Sequence, residues 1–280
     1  MMACEAHIGM TRVFYQWNDL EQANKHIKQS ADLLKYNDNL DTTTTYGMIY
    51  AKLKLAEGDL QAAQAIFSEA KTFAEKNKFE HLYADLTSLH VHILIGQGKL
   101  DEAAELAQKS ASPLSQARIF LAQDDSTTAL KILKPLQKEI AASGQRKKYL
   151  ESTVLLALAY HKSGQLKASF KSLQEVLGIA DPEGHVRMIL DEGPTMAKLL
   201  ADFHNNHPEV SPKYIKQLLL AIKLGQLDDS TTRQPEYLSQ RELEVLEFIA
   251  TGLSNQKISE SLFVSLSTVT LWSFVSSQSI

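Results

Sequence analysis

The stretch "GDLQAAQAIF", residues 58–67, recurs in outline along the chain: "NDLEQANKHI" at 18–27, "GKLDEAAELA" at 98–107 and "GQLKASFKSL" at 164–173. A weaker fifth copy, "DDSTTALKIL" at 124–133, fits if Asp124 takes the glycine position. Five places after each opening residue stands a small one: Ala23, Ala63, Ala103, Ala129 and Ser169. The openings step along the chain by 40, 40, 26 and 40 residues. Glycine ends a helix in the left-handed conformation at least cost. The Leu and the small residue that follow are three apart, so they share one face of the next helix. The small residue lets two helices approach closely. Upstream of these turns lie apolar helices such as "YGMIYAKLKLAE" (46–57) and "VLLALAYHKS" (154–163). Each unit is a helical hairpin that cannot bury its apolar face alone. Stacking hairpins shares one continuous core. The expected fold is therefore all-α: a tetratricopeptide-like α-solenoid, with a period longer than the usual 34 residues.

Composition agrees. Glycine and proline, at 12 and 7 of 280 residues, are too scarce for a turn-rich β-sandwich. The formal net charge of -4 gives no global attraction to nucleic acid, so any such contact has to be local. The single cysteine, Cys4, excludes an internal disulfide or a cysteine-rich zinc site and reads as a free thiol. No signal peptide opens the chain, and the longest apolar run, "TVLLALAY" at 153–160, is too short to span a bilayer. The cytoplasm is the expected location, without a membrane partner.

Beyond the repeats, "GHVRMILDEGPTMAKLL" (184–200) closes the array, with Pro194 in the first turn of a helix. "SPKYIKQLLLAIKLG" (211–225) gives one further helix, capped at Ser211 and stopped at Gly225. "QLDDSTTRQPEY" (226–237) is polar, has no apolar period and reads as a linker. The expected division is repeats at 1–200, a connecting helix at 201–225, the linker, and a small helical unit at 238–280.

That last unit reads "LSQRELEVLEFIATGLSNQKISESLFVSLSTVT" over residues 238–270. Ser239 and Glu242 have the spacing of a capping box. Val245, Leu246, Ile249 and Ala250 form an apolar stripe, and Gly252 stops the helix. Ser254 opens a second, short helix with Ile258 and Leu262 on one face. After the turn "FVS", Ser265 opens a third. Two short helices about a tight turn are helix-turn-helix geometry, whose second helix enters the major groove.

The stretch resembles the helix-turn-helix of LuxR-type transcription regulators at Leu238, Arg241, Glu242, Glu244, Val245, Leu246, Gly252, Ser254, Asn255, Ile258, Leu262, Val264, Ser265, Thr268 and Val269. The segment at 184–200 resembles the end of the helical repeats in large LuxR-type regulators of the maltose-regulon-activator class. The resemblance implies promoter DNA as a partner, and a small-molecule inducer or protein partner on the repeats. Residues expected to face DNA are Asn255, Lys257, Ser265, Ser267, Thr268 and Thr270. The chain also departs from that class. It has no G-x-x-x-x-G-K-[ST] segment. Thr270 and Trp272 stand where such regulators carry a basic residue and a histidine, and residues 265–280 hold no Lys or Arg. Measured against that class, the chain reads as a form shortened at both ends. Phosphate contacts need cations, so the expectation is a recognisable motif with weak DNA affinity.

Other chemistry finds little support. His90 and His92 are two apart and cannot pair on one helix face. His204 and His207 are three apart without further ligands, and read as solvated surface residues. Asp191 and Glu192 are adjacent and diverge. Asp124-Asp125 and Asp228-Asp229 read as turn or linker residues, and Tyr46, Tyr50 and Tyr83 as core more than groove. No G-x-S-x-G or H-E-x-x-H occurs, so no catalytic, cofactor or metal residues are expected. Two readings stand: a transcription regulator, or a helical-repeat interaction module whose DNA-reading unit no longer works.

Overall fold

The computed structural model describes residues 2–35, 40–110 and 112–224, and near the C-terminus 244–245, 247–248, 250–262 and 269. Every regular element among them is helical. In chain order these are α1 (Met2–Gln16), α2 (Leu20–Leu34), α3 (Leu40–Ala56), α4 (Leu60–Asn77), a 3-10 turn (Glu80–Leu82), α5 (Tyr83–Gly96), α6 (Leu100–Lys109) and α7 (Pro113–Ala122). They continue as α8 (Ser126–Ser143), α9 (Arg146–Lys162), α10 (Leu166–Glu183), α11 (Arg187–Leu190), α12 (Pro194–Asn206), α13 (Pro212–Leu224) and α14 (Asn255–Leu262). The all-α solenoid followed by a small helical unit is the fold that the repeats imply.

The five repeated stretches are the turns of five hairpins, α1/α2 to α9/α10. Asn18, Gly58, Gly98, Asp124 and Gly164 all have positive φ, from +61° to +79°. In each turn the next residue's N–H donates to the carbonyl five back: Asp19 to Phe14, Asp59 to Lys54, Lys99 to Leu94, Asp125 to Phe120 and Gln165 to Tyr160, at 2.8–3.0 Å. This satisfies carbonyls that a helix end leaves open. Asp124 does occupy the glycine position of the fifth copy. Three of the following helices gain a side-chain cap, with Asp19, Asp59 and Asp125 accepting from the N–H of Gln22, Ala62 and Thr128. Ala23, Ala63, Ala103, Ala129 and Ser169 are all 0% exposed. At Ser169 the hydroxyl donates across the hairpin to the Ala157 carbonyl at 2.7 Å. The 26-residue step has a plain cause: α6 and α7 have 10 residues each, against 14 to 18 in the other hairpin helices.

Helices α1, α3, α5, α7 and α9 touch in succession, while α2, α4, α6, α8 and α10 pack mainly on their odd-numbered neighbours. The odd helices therefore form the inner, concave layer. α3 and α4 pack tightly at Gly47, where a Cβ would stand 2.6 Å from that of Ala70.

The far end of the array returns to its beginning. Val186 donates its N–H to the Gln16 carbonyl at 2.8 Å, Tyr15 its hydroxyl to Asp191 at 2.7 Å, and Arg187 bonds Asn18 at 3.2 Å and Asp191 at 2.6–2.9 Å. Pro194 opens α12 as expected, after Gly193 at φ +77°. Ser211, before Pro212, has φ +43° and accepts the Ile215 N–H on its backbone carbonyl. Gly225 and the expected linker lie outside the described residues.

The small-residue positions give a direct test. Ala63→Leu forces extra carbons into a closed contact and is expected to cost about 1–3 kcal/mol, seen as a lowered thermal midpoint. Ala65→Leu, on the exposed side of the same helix, should leave the midpoint nearly unchanged.

Candidate DNA-reading unit and lumen

Within the C-terminal unit, residues 244, 245, 247, 248 and 250 are helical, and Gly252 at φ +81° follows. The Leu253 N–H reaches back to the Phe248 carbonyl at 3.0 Å, the closure used in the hairpin turns. Ser254 then caps α14, its hydroxyl accepting from the Lys257 N–H at 3.4 Å. Ile258, Leu262, Val245, Ala250 and Val269 are buried and supply the apolar core. Of the residues expected to face DNA, Lys257 is exposed, whereas Asn255 is only partly so, and its Oδ1 is buried without a partner. Only the Asn255 amide N–H2 then remains for a phosphate. Ser265, Ser267, Thr268 and Thr270 lie outside the described residues, as do Ser239 and Glu242.

The inner layer of the array carries charge. Arg118 of α7 grips Glu192 through Nε and Nη2 at 2.8–3.3 Å, with both side chains 8% exposed. Burial opposes the charge on Arg118, yet Glu192 holds its pKa above the ordinary value; burial raises Glu192 despite Arg118. Desolvation and attraction are therefore in close competition within the pair. Lys52 of α3 lies within electrostatic reach of Asp85, Lys147, Glu151 and Asp191, from α5, α9 and the residue ending α11. Burial, then Lys147, lower its pKa against those carboxylates. Arg12 of α1 is lowered by burial against Asp85. Neither Arg12 nor Lys52 makes a hydrogen bond or ion pair among the described residues. His92 of α5 donates from Nδ1 to the Ser88 carbonyl at 3.0 Å, and its buried Nε2 is left without a partner. Burial, Arg118 and Lys52 keep it neutral. Such a lumen offers unsatisfied donors and an acceptor to a polar ligand or chain segment. Among the described residues it pairs no nucleophile with a base. A shallow depression of about 430 Å³ lies on α4, but all its lining residues come from that one helix, so no second element closes over it.

These lumen residues carry no motif and escaped sequence reasoning. The available signal was a charge set among apolar neighbours on an inner helix, as in "TRVFYQW", "YAKLKLA" and "QARIFLA". The histidines are less exposed than their positions in the sequence suggest. His204 and His207 are not fully solvated: His204 Nδ1 is buried, and His207 packs on Phe170 and Phe203. His90 stacks on Phe67 at 4.5 Å. Tyr46 and Tyr50 pack on the core, while Tyr83 is exposed. Asp191 and Glu192 serve array closure. No group of three or more metal-ligating side chains occurs among the described residues, and no described helix is long and apolar enough to cross a membrane.

A third feature lies where the two parts meet. His7 and His26, both under 9% exposed, bring their Nδ1 atoms to 2.9 Å. The Ala250 backbone lies close enough to His7 to raise its pKa, against the larger lowering by burial. One of the two imidazoles donates its Nδ1–H to the Nδ1 of the other, so at least one of the pair is neutral. The array and the C-terminal unit share one apolar cluster here.

The fold and these sites define a helical-repeat protein joined to a helix-turn-helix unit. The family model for the MalT-like TPR region matches residues 1–206, and the chain belongs to that family. The model described as bacterial regulatory proteins, luxR family, matches residues 236–273. Among curated relatives, the chain is 23% identical to the HTH-type transcriptional regulator MalT of Klebsiella pneumoniae subsp. pneumoniae, over 92% of this chain and 32% of the relative. It is 22% identical to MalT of another Klebsiella pneumoniae strain, with the same coverage. The chain thus spans about a third of the length of these relatives.

Two outcomes follow from the geometry. Burial, then His7 and Lys25, lower the His26 pKa from 6.5 to about 4, and burial lowers His7. Below pH 6.5 the unfolded chain binds protons that the folded chain refuses. Stability is therefore full above pH 6.5 and falls toward pH 4, by about 3 kcal/mol for His26. Thermal midpoints across this range should show the slope, and His26→Gln should flatten it. Glu192→Gln leaves Arg118 buried and unpaired, at an expected cost of about 3 kcal/mol. The double change Arg118→Met, Glu192→Leu should recover most of the loss in denaturant titration.

Proposed function

We propose that this chain acts as the signal-receiving and DNA-reading part of a transcription regulator. The repeat array, roughly residues 1–200, receives a small-molecule inducer or a protein partner in its charged lumen. A helix at 201–225 and a linker at 226–237 then lead to a helix-turn-helix at 238–280 that contacts promoter DNA in the cytoplasm. The observation that carries this reading is the turn at Gly252 and Ser254 with α14 behind it, its Ile258 and Leu262 packed in one core with Val245, Ala250 and Val269.

The expected affinity is low. From residue 238 onward the basic residues are Arg241 and Lys257, against Glu242, Glu244, Glu247 and Glu260. Ser265, Ser267, Thr268 and Thr270 can donate neutral hydrogen bonds to phosphates or bases, but they release no counterions. The same shortage favours a second reading, in which the array is a protein-interaction module and the helix-turn-helix no longer works.

A mobility-shift titration against duplex DNA separates the two. The chain should bind weakly at physiological salt. Thr270→Lys should tighten binding to all sequences and steepen the salt dependence by about one unit. Tight, sequence-specific binding by the unaltered chain would reject the low-affinity expectation; no binding even with Thr270→Lys would favour the interaction module.

A further inference from the structure

Helix α1 is engaged on every side. The six successive residues from Ala6 to Thr11 are all buried, more than one full turn of helix. α2 and α3 cover part of that circumference. At its C-terminal end, Tyr15 and Gln16 hold Asp191 and Val186 and so close the array. Arg12 faces the charged lumen beside Asp85. His7 lies beside the Ala250 backbone of the C-terminal unit, and Met10 and Phe14 share an apolar cluster with Val245, Ala250, Ile258 and Leu262. The contacts to the lumen, the closure and the DNA-reading unit thus sit on one 15-residue helix.

We propose that α1 couples closure of the array to docking of the helix-turn-helix. His7 and Tyr15 are eight residues apart on a rigid rod, about 12 Å. A tilt or rotation that releases Tyr15 from Asp191 moves the His7 face against Ala250, and the reverse holds. A ligand or partner that alters the lumen beside Arg12 acts on the same rod. That regulatory sense rests on the lumen being the receiving site. The mechanical link does not, so its test uses neither ligand nor DNA, and its failure would leave the proposed function standing.

The test is amide hydrogen exchange on the full chain. Tyr15→Phe removes the hydroxyl bond to Asp191, and Asp191→Asn removes the carboxylate charge that holds Arg187 beside Tyr15, so each weakens the tie at α11. Each should speed exchange in α11 and, by about fivefold or more, in α14, while α8 and α9 stay unchanged. Coupling of sites is reciprocal, so His7→Ala should speed exchange in α11 by a similar factor. The proposal fails if α11 loosens and α14 does not, if neither responds, or if α14 changes only together with α8 and α9. The last pattern is global destabilisation. Tyr15→Phe keeps the ring and its packing, so a fold lost in Asp191→Asn does not remove the test.

Discussion

One residue in each hairpin turn is held in the left-handed region, and the stacking of the array depends on it. That residue lets the next N–H reach the carbonyl five places back, which fixes where one helix ends and the next departs. With the departure set, the small residue five places on falls in the closed contact within the hairpin, 0% exposed in all five. Five turns share the geometry although two, at Asn18 and Asp124, lack glycine. Asn and Asp are the residues besides glycine that visit this conformation most readily. The backbone requirement is what repeats; the residue type is one way to meet it.

Closure of the array brings its own cost. Bringing α11 to α1 and α7 encloses Arg118, Glu192, Arg187 and Asp191, which would be solvated on an open solenoid. They are enclosed as pairs, and the hydroxyl of Tyr15 completes the Asp191 end. Among the described residues, Arg12 and Lys52 remain without such partners on the same inner surface. The lumen is thus divided between charges spent on architecture and charges left over.

The hairpins were legible in the sequence because their signals are local. Turn residue, Leu and small residue lie within six positions of one another. The Ser254 cap and the stripe of Ile258 and Leu262 were legible for the same reason. The lumen was not. A lysine among apolar residues, such as Lys52 in "YAKLKLA", looks alike whether its helix faces solvent or an enclosed groove. The closure was hidden too, because Tyr15 and Asp191 are 176 positions apart and no periodicity links them. His7, His26 and Ala250 meet across an even longer separation. Asp191 and Glu192, adjacent and divergent in the sequence, are structural through partners that their segment does not reveal.

A linear stack of repeats has two ends, and loss of structure starts at an end, where a unit has a neighbour on one side only. In this chain the hydrogen bonds from the Val186 N–H to Gln16 and from the Tyr15 hydroxyl to Asp191 give the first unit a second neighbour. The array becomes a circuit, without a preferred place from which to fray. Opening any one interface then leaves each hairpin attached through the other direction, so damage at a single joint stays local and repairs against a template still in place.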